Sequence, residues 1–130
     1  MKKIAVFSLL VFLVVSFSVS TVSADMIKIA VASDGKTVSS AVSSVAARSS
    51  SFLIFDGNGK FVEAINNPHK EVGRGAGPLV VNFLAQKGIN AITAQSFGKK
   101  MVDAMEANGI AHFEFKGNAD DAVRKYLKQK

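Results

Sequence analysis

Residues 73–88 read GRGAGPLVVNFLAQKG, a glycine-rich turn that leads directly into an apolar segment. Four apolar residues of this segment recur at the spacing of one helix face: Leu79, Val80, Phe83 and Leu84. The spacing predicts an amphipathic helix from about Gly77 to Lys87, with Gly88 as its left-handed cap. Pro78 is expected at the first helical position, because the N–H that proline lacks would have no partner there.

The glycine-rich turn allows two interpretations. A turn that runs into a helix N-terminus exposes backbone N–H groups beside the positive end of the helix dipole, which makes it a candidate anion or ligand site. Alternatively, the glycines only make a tight turn and let the helix pack closely. The spacing matches neither the phosphate loop, with its Lys-Ser/Thr pair, nor a full dinucleotide-binding fingerprint, so spacing alone favours the structural role.

Short apolar runs on either side of this helix predict a five-stranded sheet. The predicted strands lie, in chain order, at 26–33, 51–56, 60–66, 89–94 and 110–115. The second and third strands flank the turn Gly57-Asn58-Gly59 and form an antiparallel hairpin. The later strands alternate with helices, which implies parallel crossovers. We therefore expect a three-layer α/β domain with a mixed sheet and helices on both faces.

Two other segments bear on the local structure. Residues 37–51 are rich in Ser and Thr, and a short amphipathic helix or a meandering loop would both fit them. Further along the chain, Ser96 is predicted to cap a helix from Gly98 to Asn108. Asn118 is predicted to cap the last helix.

The first 24 residues have the parts of a secretory signal peptide. Lys2 and Lys3 form a basic start, and an uncharged run extends from Ile4 to Ala24. The run is long enough for a membrane anchor, but its last third is rich in Ser and Thr, which favours cleavage before Asp25. We therefore expect an exported protein, periplasmic or extracellular, with one domain at 25–130 and contact with the membrane only through the signal segment.

Composition excludes several classes of function. The chain has no cysteine, which excludes disulfides, Cys-ligated zinc and any cluster held by the chain's own thiolates. Two of the 16 basic residues lie in the signal segment, which leaves 14 against 10 acidic residues. This excess is mild, and together with export it argues against a nucleic acid partner.

Few side chains qualify for catalysis or metal binding. Asp34 follows the first strand, at the carboxyl end, where ligands bind in parallel sheets. An aspartate in this position is more often a simple turn residue. A metal-dependent hydrolase would need several convergent carboxylates, with Asp34, Asp56 and Glu63 as the set to test. His69 precedes the glycines and is a candidate metal ligand or anion contact, with a solvated loop histidine as the alternative. No serine lies in a nucleophile turn, so no catalytic residue is predicted.

The ordered set of motifs resembles one known family. The segments that carry the resemblance are IKIAVASDGKTVSS at 27–40, FLIFD at 52–56, GRGAG at 73–77 and INAITAQSFGKKMVDAMEANGI at 89–110. Together they are similar to the dinitrogenase iron–molybdenum cofactor biosynthesis family, over about residues 26–127. The resemblance implies a ribonuclease H-like fold and a non-enzymatic role related to nitrogen fixation. It also implies that the protein binds iron–molybdenum cofactor or an iron–sulfur cluster.

The resemblance also implies a binding region, in which the end of the first strand faces the glycine loop. Its cofactor-binding residues would be Ser33, Asp34, Gly73, Arg74, Gly75 and Gly77. The candidate metal ligand beside them is His69, which is chosen from its place in the loop and not from the resemblance. Many family members carry His-Phe-Gly where this chain reads Ser40-Ala41-Val42. That difference motivates an alternative: a periplasmic protein-interaction module of the same fold, with a protein partner in place of a metal cluster or small anionic ligand.

Overall fold

The computed structural model describes residues 27–129, so the predicted signal segment at 1–24 lies outside the described residues. The strands are β1 Lys28–Ser33, β2 Ser51–Asp56, β3 Phe61–Asn66, β4 Ala91–Ala94 and β5 Ala111–Glu114. The helices are α1 Ala76–Gln86, α2 Lys99–Ala107 and α3 Ala119–Lys128. Five strands and three helices therefore occur in the predicted order.

The strands form one mixed sheet, as predicted, in the order β3-β2-β1-β4-β5. β2 pairs antiparallel with both β1 and β3, whereas the pairs β1–β4 and β4–β5 are parallel. The register places Lys28 opposite Asp56 and Ser33 opposite Ser51. The carboxyl ends of β1 and β2 therefore lie at opposite ends of the sheet.

Helices cover both faces of the sheet, which confirms the three-layer architecture. On one face, α1 and α2 bury Val80, Leu84 and Met101 against strand residues such as Phe52. On the other face, α3 packs on a second apolar cluster through residues such as Val123. β1 is buried between the two layers, which explains its continuous apolar sequence. No helix within residues 27–129 is long and apolar enough to span a membrane.

The start of α1 differs from the prediction. The helix begins at Ala76, with Gly75 as its N-cap at φ 78°, so Pro78 is the third helical residue and not the first. Proline is tolerated there because the first several N–H groups of a helix have no intrahelical partner. Leu79 was predicted to face the core, but it is 41% exposed and Val81 is buried instead.

The predicted cap of α2 is also wrong. Gly98 is the N-cap residue, and Ser96 uses its hydroxyl to donate a hydrogen bond to the Ser44 carbonyl at 2.6 Å. The cap of α3 is confirmed, since the Asn118 side chain accepts a hydrogen bond from the backbone N–H of Asp121. Gly88 has the predicted left-handed conformation, with φ 76°.

The Ser-rich segment 37–51 is a loop up to Ser50, with a single 3₁₀ turn at Ala46–Arg48, and its last residue begins β2. An isolated bridge joins Val42 of this loop to Ser33 at the end of the central strand β1. The backbone N–H of Ser43 donates to the Ala32 carbonyl at 2.9 Å. The loop is therefore attached to the carboxyl end of β1, and the 3₁₀ turn is carried to the side of the sheet where α1 and α2 begin.

Candidate anion-binding site

The first turns of α1 and α2 line a pocket of about 380 Å³. The glycine loop before α1 and the 3₁₀ turn complete its walls. The lining residues outside the two helices are Val45, Ala47, Arg48, Gly73, Arg74, Gly75 and Gly98. The glycine-rich turn is therefore part of a concave surface where two helices begin.

The two helices touch at their N-terminal ends. A β-carbon built on Gly77 would lie 2.8 Å from Cβ of Met101 and 3.2 Å from its Cα. Only glycine permits this approach without displacing a neighbour. The structural interpretation of the glycines is therefore correct for Gly77, and the close contact also brings the two helix N-termini to one place.

Neither of these N-termini has the usual compensation for its free N–H groups. The N-cap residues Gly75 and Gly98 make no side-chain cap hydrogen bond, and neither first turn contains an acidic residue. In the same chain, α3 has a capping Asn118 and two acidic residues in its first turn. Uncapped N–H groups and positive dipole ends thus converge on the pocket, and both favour an anion.

Basic side chains add formal charge to these dipoles. Lys99 and Lys100 occupy the first turn of α2, where cations are unfavourable beside the positive helix end. Lys99 is ion-paired with Asp103 at 3.1 Å. Arg74 and Lys100 are exposed and make no side-chain hydrogen bond or ion pair within residues 27–129. A bound anion would satisfy both side chains and relieve the repulsion at the start of α2.

The loop between β3 and α1 is held to the 3₁₀ turn by side-chain hydrogen bonds. The buried Asn67 amide donates to the carbonyls of Ala47 and Ser49, both at 3.0 Å. Its side-chain oxygen accepts a hydrogen bond from the backbone N–H of His69 at 2.9 Å. These contacts fix the first residues of the loop, so the glycine loop starts from a defined position.

The structure brings together only part of the predicted site. Gly73, Arg74, Gly75 and Gly77 all line the pocket, whereas Ser33 and Asp34 do not. Ser33 is buried, and its hydroxyl is hydrogen-bonded to Gly35. Asp34 is exposed and accepts a hydrogen bond from the Ser43 hydroxyl at 2.7 Å. A binding role for Ser33 and Asp34 stays a prediction.

His69 is half-buried and packs edge-on against Phe83, with the ring centroids 6.1 Å apart. Within residues 27–129, no three His, Cys, Asp or Glu side chains are arranged to hold a metal ion. The role of His69 as a metal ligand therefore stays a prediction.

The carboxylates of the hydrolase hypothesis do not converge. Asp34 follows β1 and Asp56 ends β2, and these antiparallel neighbours end at opposite ends of the sheet. Asp56 accepts hydrogen bonds from the backbone N–H groups of Asn58 and Lys60, so its carboxylate shapes the hairpin turn. Glu63 is exposed on the edge strand β3. This separation removes the arrangement that two-metal hydrolysis requires.

Sequence reasoning missed Arg48, Lys99 and Lys100 as pocket residues. The two lysines did carry a signal, because paired cations in the first turn of a predicted helix break the rule for dipole compensation. Arg48 had no such signal in the sequence, since it lies in a Ser-rich loop and contacts residues more than 20 positions away.

Comparison with known proteins agrees with this fold. Residues 26–129 match the model of the family described as dinitrogenase iron-molybdenum cofactor. No match was found among curated protein sequences.

Solved structures give further similarities. The apo form of the orange protein from Desulfovibrio gigas is 24% identical, with a TM-score of 0.75 over 82% of this chain and 92% of that one. A Thermotoga protein with the provisional name NifB is 30% identical, with a TM-score of 0.68 over 78% and 88%. A Methanocaldococcus jannaschii protein, provisionally named a dinitrogenase, is 14% identical with a TM-score of 0.57 over 79% and 89%.

Proposed function

Because the chain belongs to the dinitrogenase iron-molybdenum cofactor family, we propose that it binds an anionic metal cluster at the pocket between α1 and α2. The ligand would be iron–molybdenum cofactor, an iron–sulfur cluster or a related small anion. One observation carries the proposal: two uncapped helix N-termini meet beside the unpaired cations Arg74 and Lys100.

The chemistry of the pocket suits recognition by charge. Backbone N–H groups at a helix N-terminus and a guanidinium group both donate hydrogen bonds to sulfide, oxide or carboxylate groups at the surface of an anion. The chain has no thiolate to offer a metal. A cluster in this pocket would therefore keep its own sulfur ligands, and Arg74 and Lys100 would bind the outer surface of that complex.

We propose that the protein carries its ligand without chemical turnover. The separation of Asp34 from Asp56 supports this, because these two carboxylates lie too far apart to act as an acid–base pair. An anaerobic assay that follows the cluster before and after incubation tests the point. Recovery of the intact cluster is expected, and its steady conversion to a product would contradict the carrier role.

We also propose that residues 1–24 direct export and are removed. The basic start and the uncharged run support this proposal. N-terminal sequencing of the protein isolated from the native cell envelope should begin at Asp25. A chain that still begins at Met1 in the membrane fraction would instead indicate an anchor.

Anaerobic reconstitution tests the binding site. Purified protein is incubated with an iron–sulfur cluster that carries small thiolate ligands, and bound metal is measured by elemental analysis and absorption. The variant Arg74→Ala should bind at least about tenfold more weakly, because a charge-assisted hydrogen bond typically contributes about 1.5–3 kcal/mol. Lys60→Ala is the matched control, since Lys60 is an exposed cation in the hairpin turn, away from the pocket.

The alternative function makes the opposite prediction in the same experiment. A protein-interaction module of this fold would retain no metal after reconstitution, and native mass spectrometry of the isolated protein would show a partner chain without a small ligand. Equal metal retention by wild type, Arg74→Ala and Lys60→Ala would place the ligand outside the pocket.

A further inference from the structure

Arg48 connects the Ser-rich segment to the glycine loop. Its guanidinium group donates hydrogen bonds to three carbonyls between β3 and α1. They are the carbonyl of Lys70 at 3.1 Å, that of Val72, and that of Gly73 at 2.6 Å. Arg48 itself ends the 3₁₀ turn and lines the pocket. One side chain therefore fixes the loop immediately before Arg74 and Gly75.

These contacts determine the direction of neighbouring groups. A peptide unit is planar, so the carbonyl of Gly73 and the N–H of Arg74 point in opposite directions. Holding the Gly73 carbonyl on Arg48 therefore also fixes the N–H of Arg74. In addition, three carbonyl oxygens that would repel an anion accept hydrogen bonds from the cationic side chain of Arg48.

The loop needs such a support because its own residues constrain it weakly. Glycine restricts the backbone least of all residues, and Gly73 has open space where a side chain would be. Gly75 has φ 78°, a conformation that the loop must hold for α1 to begin at Ala76. Without Arg48, the cost of ordering this loop would be added to the binding of the ligand.

We infer that Arg48 is a positioning residue that orders the glycine loop before the anion binds. This inference rests on the proposed function and adds to it the residue that prepares the site. Its effect depends on the shape of the guanidinium group as well as on its charge. Two guanidinium nitrogens reach three carbonyls, whereas a lysine ammonium is a single point charge and cannot reproduce that geometry.

The test compares Arg48→Lys with Arg74→Lys, since both variants preserve charge. Amide hydrogen exchange is measured in the free protein over residues 70–77, with core amides of β1 as an internal reference for global stability. Arg48→Lys should raise exchange in the loop about tenfold or more and leave the β1 amides unchanged, whereas Arg74→Lys should change neither. Arg48→Gln, which keeps a planar donor, is a second variant if Arg48→Lys also destabilises the core.

Affinity for the iron–sulfur cluster is measured on the same proteins. Arg48→Lys should lose about tenfold in affinity although the charge of the pocket is unchanged. Loop exchange equal to wild type in both Arg48 variants would overturn the inference, whatever their affinity. Faster loop exchange in the variants, together with a wild-type protein that binds no cluster, would refute the proposed function and leave the ordering of the loop by Arg48 established.

Discussion

Gly77 lies directly against Met101, so that a β-carbon on Gly77 would be 2.8 Å from Cβ and 3.3 Å from the backbone nitrogen of Met101. This contact joins the first turn of α1 to the first turn of α2. It therefore determines the distance between the two helix N-termini that the proposed site requires.

Gly77→Ala should destabilise the protein, since the methyl group would meet the backbone of α2 as well as a side chain. Overpacking typically costs about 1–3 kcal/mol, which outweighs the gain of up to about 1 kcal/mol in helix propensity from alanine. Urea unfolding measures the change. Gly73→Ala is the matched control, because Gly73 has no atom within 4 Å of the added carbon and no positive φ. Equal stability of the two variants would contradict the close contact.

Lys100→Glu should have opposite effects on stability and on binding. An acidic residue in the first turn of α2 compensates the helix dipole, so the free protein should gain up to about 1 kcal/mol in its free energy of unfolding. Affinity for an anion should fall at the same time. Thermal unfolding and a cluster titration measure the two effects.

Lys128→Glu is the control for that prediction, because Lys128 lies in the last turn of α3, where a cation is favourable. This variant should lose a few tenths of a kcal/mol up to about 1 kcal/mol of stability and should bind the cluster as wild type does. Loss of stability in both variants would show that Lys100 does not oppose the start of α2.

Asn118→Ala should remove about 1 kcal/mol of stability, because its side chain accepts a hydrogen bond from the N–H of Asp121 at the start of α3. Asn82→Ala is a matched control: Asn82 is exposed within α1 and makes no side-chain hydrogen bond in the described part of the chain. Alanine there should be neutral or slightly stabilising. A similar loss in both variants would contradict a specific capping role.

The fold was predictable because local signals agreed with one another. β2 has the predicted bounds, Ser51–Asp56, since an apolar run ends at a Gly57-Asn58-Gly59 turn. The alternation of strands and helices in the second half also fixed the parallel pairs. Where two local signals competed, prediction failed. Leu79, Val80 and Val81 are consecutive apolar residues, and periodicity alone could not decide which of the outer two is buried.

The cap of α2 failed for a tertiary reason. Ser96 has the right residue type, but its hydroxyl is engaged by the Ser44 carbonyl of a loop 52 positions away in sequence. The sequence of that loop fits a short helix as well as a loop, so it does not predict where Ser44 lies.

The site was predictable only in part. Gly73, Arg74, Gly75 and Gly77 were identifiable as candidate residues from one stretch, because a glycine-rich turn that runs into a helix exposes backbone N–H groups. The other wall of the pocket depends on how α2 docks against α1 and on where the 3₁₀ turn carries Arg48. Both are tertiary contacts between distant parts of the chain, and no local pattern encodes them.

Mapping of the bound ligand by NMR tests the central claim most directly. The iron–sulfur cluster is titrated anaerobically into labelled protein, and the backbone amide signals are followed. We predict that Arg74, Gly75 and Ala76, together with Lys99 and Lys100, shift or broaden first. In Arg74→Ala, the signals of Gly75, Ala76, Lys99 and Lys100 should change clearly less at equal cluster concentration. Unchanged signals at both helix N-termini, with changes confined to β3 or α3, would contradict the proposed site.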